Sequence, residues 1–227
     1  RQMCIRDRVN EIGTLSGSTV MYHELFTNHI SYFRFLFDLK AVPEELFSYI
    51  GILKAVLGYV DTEVHSFDEL FHEINMETGG ITAVTNLFTN AKNLDECRVT
   101  FEIKAKTLED NLAKATQLAR EIMLQSRFDD EKRLYEILAE LKSHLQSALI
   151  SAGHSVAAGR AMSYFSRPAA IQERLSGMPF YRLVDDLEKN FDSRKDELKE
   201  KLNRLVRCIF RPENLLLDYI GTREHYE

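Results

Sequence analysis

Apolar positions recur along this chain with two different periods. From Ile30 to Phe37 aromatic and β-branched residues crowd together and stop at Asp38, the pattern of a strand. Pro43, Glu44 and Glu45 then open a helix, because proline fits the first turn and the helix dipole favours acids there. Its body, PEELFSYIGILKAVLGYV, is apolar nearly all round, which predicts burial. A second helix is expected from Phe67 to Glu77, with Ser66 and Glu69 as a capping box and Phe67, Leu70, Phe71 and Ile74 as its core face. Gly79-Gly80 break that helix, and ITAVTNLFTN resumes extended structure. RVTFEIKAK alternates cleanly: Val99, Phe101 and Ile103 point one way, Arg98, Thr100, Glu102 and Lys104 the other. NAKNLDE before it reads as a hairpin loop.

The helical period then takes over. TLEDNLAKATQLAREIML is expected to start at a Thr107 cap, with Asp110 completing a capping box. From Asp129 to Ile150 a longer helix lines up Leu134, Ile137, Leu138, Leu141 and Leu145. Gly153 ends it, and SVAAGRAMSYF follows as a helix of small residues suited to close packing. Further helices are expected over 168–175, 179–189 and 192–209, and NLLLDYIG after Pro212 reads as a last strand. Strands and helices cluster rather than alternate. The fold class is therefore α+β, with an antiparallel sheet of about four strands packed against several helices. Residues 1–19 stand apart: RQMCIRDR has no periodicity and resembles translated sequencing-adapter read-through, and GTLSGST reads as a linker. A single domain is expected over 20–227.

Composition narrows the function classes. The chain has 227 residues, 44% hydrophobic and 28% charged, with a formal net charge of −6 that disfavours a nucleic-acid partner. No apolar run approaches the roughly 20 residues of a membrane span, so no membrane partner is expected. Cys4, Cys97 and Cys208 are far apart and form no zinc spacing, which fits a reducing compartment: cytoplasmic in a bacterium, organellar in a eukaryote.

Two stretches imitate active sites. HSFDELFHEI, residues 65–74, holds His72-Glu73 like the start of an H-E-x-x-H zinc helix. Two imidazoles reach one ion only when one helical turn apart, and the position one turn after His72 is Met76; His23-Glu24 meets Thr27 there. The inverted order H-x-x-E-H does not occur. His65 and His72 are therefore read as solvated, His65 outside the helix and His72 off its apolar face. GHSVAAG, residues 153–159, is one residue from a nucleophile elbow, but an elbow follows a strand and this stretch follows a long helix. Ser155 or Ser151 is expected to cap the next helix instead. Gly79-Gly80 precede a strand and so lack the helix N-terminus of a phosphate loop. DSRKDELKEKLNRLVR, with its mixed charges, reads as a solvated helix face.

Longer strings resemble a known family. HELFTNHISYFRFLFDLKAVPEELFSYIGILKAVLGYVDTEVHSFDELFHEINMETGGI, SRFDDEKRLYEILAELKSHLQSALISAGHSVAAGRAMSYFS and ERLSGMPFYRLVDDLE are similar, in that order, to the C-terminal half of presequence-protease-type enzymes, a branch of the insulinase/pitrilysin zinc metallopeptidases. The resemblance implies an insulinase-like domain from the non-catalytic half, forming part of a chamber that encloses unfolded peptides. It implies zinc on an H-x-x-E-H helix in the N-terminal half of the parent, and no cofactor in this fragment. The implied partners are that N-terminal catalytic half of the same chain and the peptide substrates. The stretch in place of the zinc helix, FSYIGILKAVLGYV, carries only Lys54 as a charge, and an ammonium cannot ligate zinc. No catalytic, metal or substrate-binding residue is assigned, and the fragment alone is expected to be inactive. A free-standing α+β protein-interaction module, binding through its helical second half, is the alternative.

Overall fold

Alternation of large apolar and polar residues builds four of the six strands that form one sheet among the described residues. A computed structural model describes residues 10–15, 17–93 and 96–223. The strands are β1 (Asn10–Leu15), β2 (Ser18–Glu24), β3 (Ile30–Asp38), β4 (Ile81–Thr89), β5 (Cys97–Leu108) and β6 (Leu215–Gly221). Their order across the sheet is β1-β2-β6-β3-β5-β4. Only β2 and β6 run parallel; every other neighbour is antiparallel. The sheet thus has two strands more than the hydrophobic pattern predicts. These are β1 and β2, which overlap the Ser/Thr/Gly-rich stretch read as linker; Gly17, at φ +86°, turns one into the other. The adapter-like residues 1–8 and Cys4 lie outside the described residues.

The helices are α1 (Glu44–Phe47), α2 (Ile50–Val56), α3 (Phe67–Glu77), α4 (Leu112–Leu124), α5 (Glu131–Ser151), α6 (Gly153–Met162), α7 (Arg167–Ser176), α8 (Met178–Lys189) and α9 (Phe191–Ile209). The apolar PEELF…GYV segment is two short helices, α1 and α2, rather than one, and it is buried as its composition demands: Leu46, Ile50, Ile52 and Leu53 are fully covered. The capping box at Ser66 forms, Glu69 taking the Ser66 N–H at 3.0 Å and its hydroxyl at 2.8 Å. Leu70 and Ile74 hold α3 to the core, whereas Phe71 is half exposed, contrary to the periodicity. Thr107 does not cap a helix. It lies near the end of β5, its hydroxyl donates to the Glu77 carbonyl, and α4 begins only at Leu112. The strand wins there because Ile30 to Asp38 pair with β5 as far as Leu108.

The core draws on one face of the sheet. Phe33, Phe37, Phe101, Ile103, Ala105 and Tyr219 point from that face into a cluster with Leu53, Leu118, Leu134, Val184 and Leu205 of the helices. Phe210, just after α9, meets both Phe37 and Phe101 edge-on, at centroid distances of 5.0 and 5.7 Å. Gly51 of α2 is dictated by this packing: a Cβ there would lie 2.6 Å from the Phe180 ring and 2.8 Å from the Leu175 carbonyl oxygen. α6 departs from expectation. None of its residues is buried, its start at Ala152 has no side-chain cap, and Ser155 lies exposed inside it. Around it Ile150, Met162, Tyr164 and Phe165 are also exposed.

Candidate functional site

The opposite face of the sheet supplies none of the core residues. It carries, in register across the strands, Thr82 of β4, Lys104 of β5, Arg34 of β3 and Asp218 of β6. Asp218 is 3% exposed and accepts hydrogen bonds from both Nε (2.8 Å) and a terminal nitrogen of Arg34. His23 Nε2 stands 3.0 Å from the other carboxylate oxygen, an ion-pair contact without hydrogen-bond alignment. Such a carboxylate needs partners, because leaving a buried acceptor short of one costs about 1–3 kcal/mol. Glu102, 1% exposed between Leu36 and Val84, accepts the Thr100 hydroxyl at 2.7 Å. The alternation of β5 is therefore real, but its polar side is covered at Thr100 and Glu102 and open on either side of them, at Arg98 and at Lys104 and Lys106.

Two hollows flank this face. A recess of about 420 Å³ is lined by Tyr32, Arg34, Gly79, Thr82, Lys104 and Lys106, among others. A larger groove of about 1370 Å³ lies at the end of the sheet formed by Asp38, the β4–β5 hairpin and Leu215, and is closed on its far side by Arg167, Ile171 and Arg174 of α7.

The structure scatters the residues that suggested chemistry. His72 is exposed on α3, as its position predicts. His65 is not solvated: its Nδ1 lies 2.9 Å from Glu121 of α4, and the Thr62 hydroxyl bonds the same carboxylate oxygen. This partly buried contact ties the loop before α3 to the C-terminal end of α4. The two residues are 56 positions apart, so no local pattern reveals it. Cys97 and Cys208 are free thiols on different elements. Lys54 on α2 sits half-buried, and burial pushes its ammonium below the ordinary value. Among the described residues no three His, Cys, Asp or Glu side chains gather as a metal-ion cluster. The donor set of the described residues does not fit a zinc site. No helix among the described residues is long and apolar enough to cross a membrane.

Comparison with known proteins adds what geometry alone does not. Over 213 residues the chain is 33% identical to Protein HypA of Clostridium perfringens, covering 94% of this chain and 22% of that protein. It is 27% identical over 203 residues to the mitochondrial presequence protease of Danio rerio (89% of this chain, 20% of the relative). Against the chloroplastic/mitochondrial presequence protease 1 of Arabidopsis thaliana it is 24% identical over 199 residues (88% and 18%). The chain thus spans about a fifth of the length of these curated relatives. A family model for the domain associated with peptidases of family M16, subfamily C, matches residues 3–187, and the chain belongs to that peptidase-associated family.

Proposed function

We propose that this chain is a non-catalytic part of a zinc metallopeptidase that degrades unfolded peptides, and that its open sheet face lines a peptide-enclosing chamber. The carrying observation is the one-sided layering: a single core on the helical side, and on the other side a face without core residues, covered at Thr100, Glu102 and Asp218, exposed at Arg34, Thr82, Lys104 and Lys106, and flanked by two hollows. A sheet face left polar and open in one chain suits a wall that peptides touch without displacing a core. Zinc and the hydrolytic groups belong, on this reading, to the N-terminal half of the parent, which is also the principal partner. The unburied α6, with Ile150, Met162, Tyr164 and Phe165 exposed around it, is a second surface for contact with the rest of the parent.

Two experiments test this reading. The purified chain is expected to contain no stoichiometric zinc and to leave a fluorogenic peptide intact; zinc together with cleavage overturns the assignment. In the full-length parent, inactivated in its catalytic half, a peptide bearing a photo-crosslinker is expected to label Tyr32, Lys104 or Thr82. Labelling confined to α5 and α9, or none, rejects the chamber wall.

A further inference from the structure

The open face is unevenly charged, and the arrangement is one that strand pairing alone disfavours. Arg34 and Lys104 stand directly opposite each other on β3 and β5. Like charges placed so are mutually destabilising. Lys106 follows on the same face, opposite Tyr32. The acids beside these cations on the same face are covered and engaged: Asp218 at 3% exposure by Arg34 and His23, and Glu102 at 1% by Thr100. Neither Lys104 nor Lys106 has a carboxylate partner among the described residues, and both are exposed. What solvent meets in the 420 Å³ recess is therefore cationic, although the whole chain carries a net charge of −6.

The recess is also shaped around its lysines. A Cβ at Gly79 would lie 2.7 Å from Cε and 2.8 Å from Cγ of Lys106, so the missing side chain leaves room for the Lys106 stem. The Gly79 N–H donates to the Lys106 carbonyl at 2.8 Å, fixing the two backbones together. Gly80, at φ +107°, holds a conformation that side chains rarely adopt, and it returns the chain into β4. The Gly79-Gly80 pair, which ends α3, thus also builds one wall of the recess.

We infer that this recess binds an acidic segment of an extended peptide, its carboxylates meeting Lys104 and Lys106 while Tyr32 flanks the chain. The inference rests on the chamber-wall reading for why a peptide arrives there, but its binding chemistry is a property of this chain alone. Charge complementarity selects the occupant: two unneutralised ammonium groups, held beside a like charge, gain most from carboxylates.

The test is a fluorescence-anisotropy titration of the 227-residue chain at low salt. One labelled extended peptide carries a run of glutamates and its counterpart carries glutamines at the same positions. The glutamate peptide is expected to bind about five- to tenfold tighter, the scale of two exposed ion pairs. Lys104→Gln with Lys106→Gln is expected to weaken it about five- to tenfold, for the same reason. A control pair with the same change in net charge, Arg120→Gln with Lys132→Gln on the helical side, is expected to change it less than about twofold. Lys104→Glu with Lys106→Glu is expected to turn the preference toward a lysine peptide. Equal binding of both peptides, no binding of either, or equal losses in the recess and control pairs overturns the inference. Cross-links elsewhere in the parent would reject the chamber wall while leaving this binding result standing.

Discussion

The two faces of the sheet solve opposite problems with the same strands. On β5, Phe101, Ile103 and Ala105 face the helices and are buried, while Lys104 and Lys106, interleaved with them, face outward and are exposed. The inner face gains free energy by removing apolar surface from water, about 25 cal/mol per Å², and by close packing. The outer face gains little from burial; it has instead to keep its few covered acids, Asp218 and Glu102, supplied with partners. Stability and surface chemistry are thus written on alternate residues of one strand. Substitutions should separate them.

The largest effect is expected from Phe101→Ala, which empties the site where the Phe210 ring packs edge-on. A loss of about 3–5 kcal/mol in denaturant unfolding is the size of a buried Phe truncation. A loss below about 1 kcal/mol would show that the inner face is not the source of stability. Gly51→Ala should come next, at about 1–3 kcal/mol, because the added methyl meets the Phe180 ring and the Leu175 carbonyl. On the outer face Arg34→Ala strips Asp218 of two hydrogen bonds. The cost expected is about 1–3 kcal/mol, that of leaving a buried acceptor short of a partner. Restoration by Asp218→Asn in the same chain would show that the uncompensated charge, not lost packing, is the cause.

Strong acid should weaken an ion-pair cluster on the helical side. Lys195 and Lys199 of α9 hold the Glu131 carboxyl, at the start of α5, down from 4.5 to about 2. A lowered folded value means that this contribution is complete above about 4.5 and is lost as pH falls through about 2. Glu131→Gln should therefore flatten the stability profile between those values, read by acid titration of unfolding. An unchanged profile would mean that the α5–α9 ion pairs are neutral. The smallest effect is expected for Lys104→Ala, within about 0.5 kcal/mol, since the side chain is exposed and makes no ion pair among the described residues.

Much of this comparison is legible in the residues. The alternation along RVTFEIKAK identifies β5 and its two faces, and the helical stripes locate α5, α8 and α9. Local chemistry also locates the Ser66–Glu69 box. The failures share a cause. β1 and the start of β2 are rich in Gly, Ser and Thr, weak signals that become strands only because they pair with each other and with β6. Thr107 has cap chemistry, yet β3 extends its strand past it. His65 looks solvated because Glu121 is remote in sequence. The recess is invisible for the same reason, since it needs several strands and the Gly79 turn in register. Family membership, by contrast, is readable from long ordered strings without any of this geometry.

The place of β6 sets an order of events. It lies between β2 and β3, although every helix of the described residues comes between Glu24 and Leu215 in sequence. Until that strand arrives, the β1–β2 hairpin has no link to the β3–β5–β4 ladder, and Asp218 is not there to meet Arg34. During synthesis the sheet must wait as two unequal pieces, with the edges of β2 and β3 bare, and is joined only when β6 leaves the ribosome. Such a late, long-range closure is slow, because its entropy is spent before its contacts form. A translation stall just ahead of Leu215 would therefore yield a chain with its helices made and its sheet in halves.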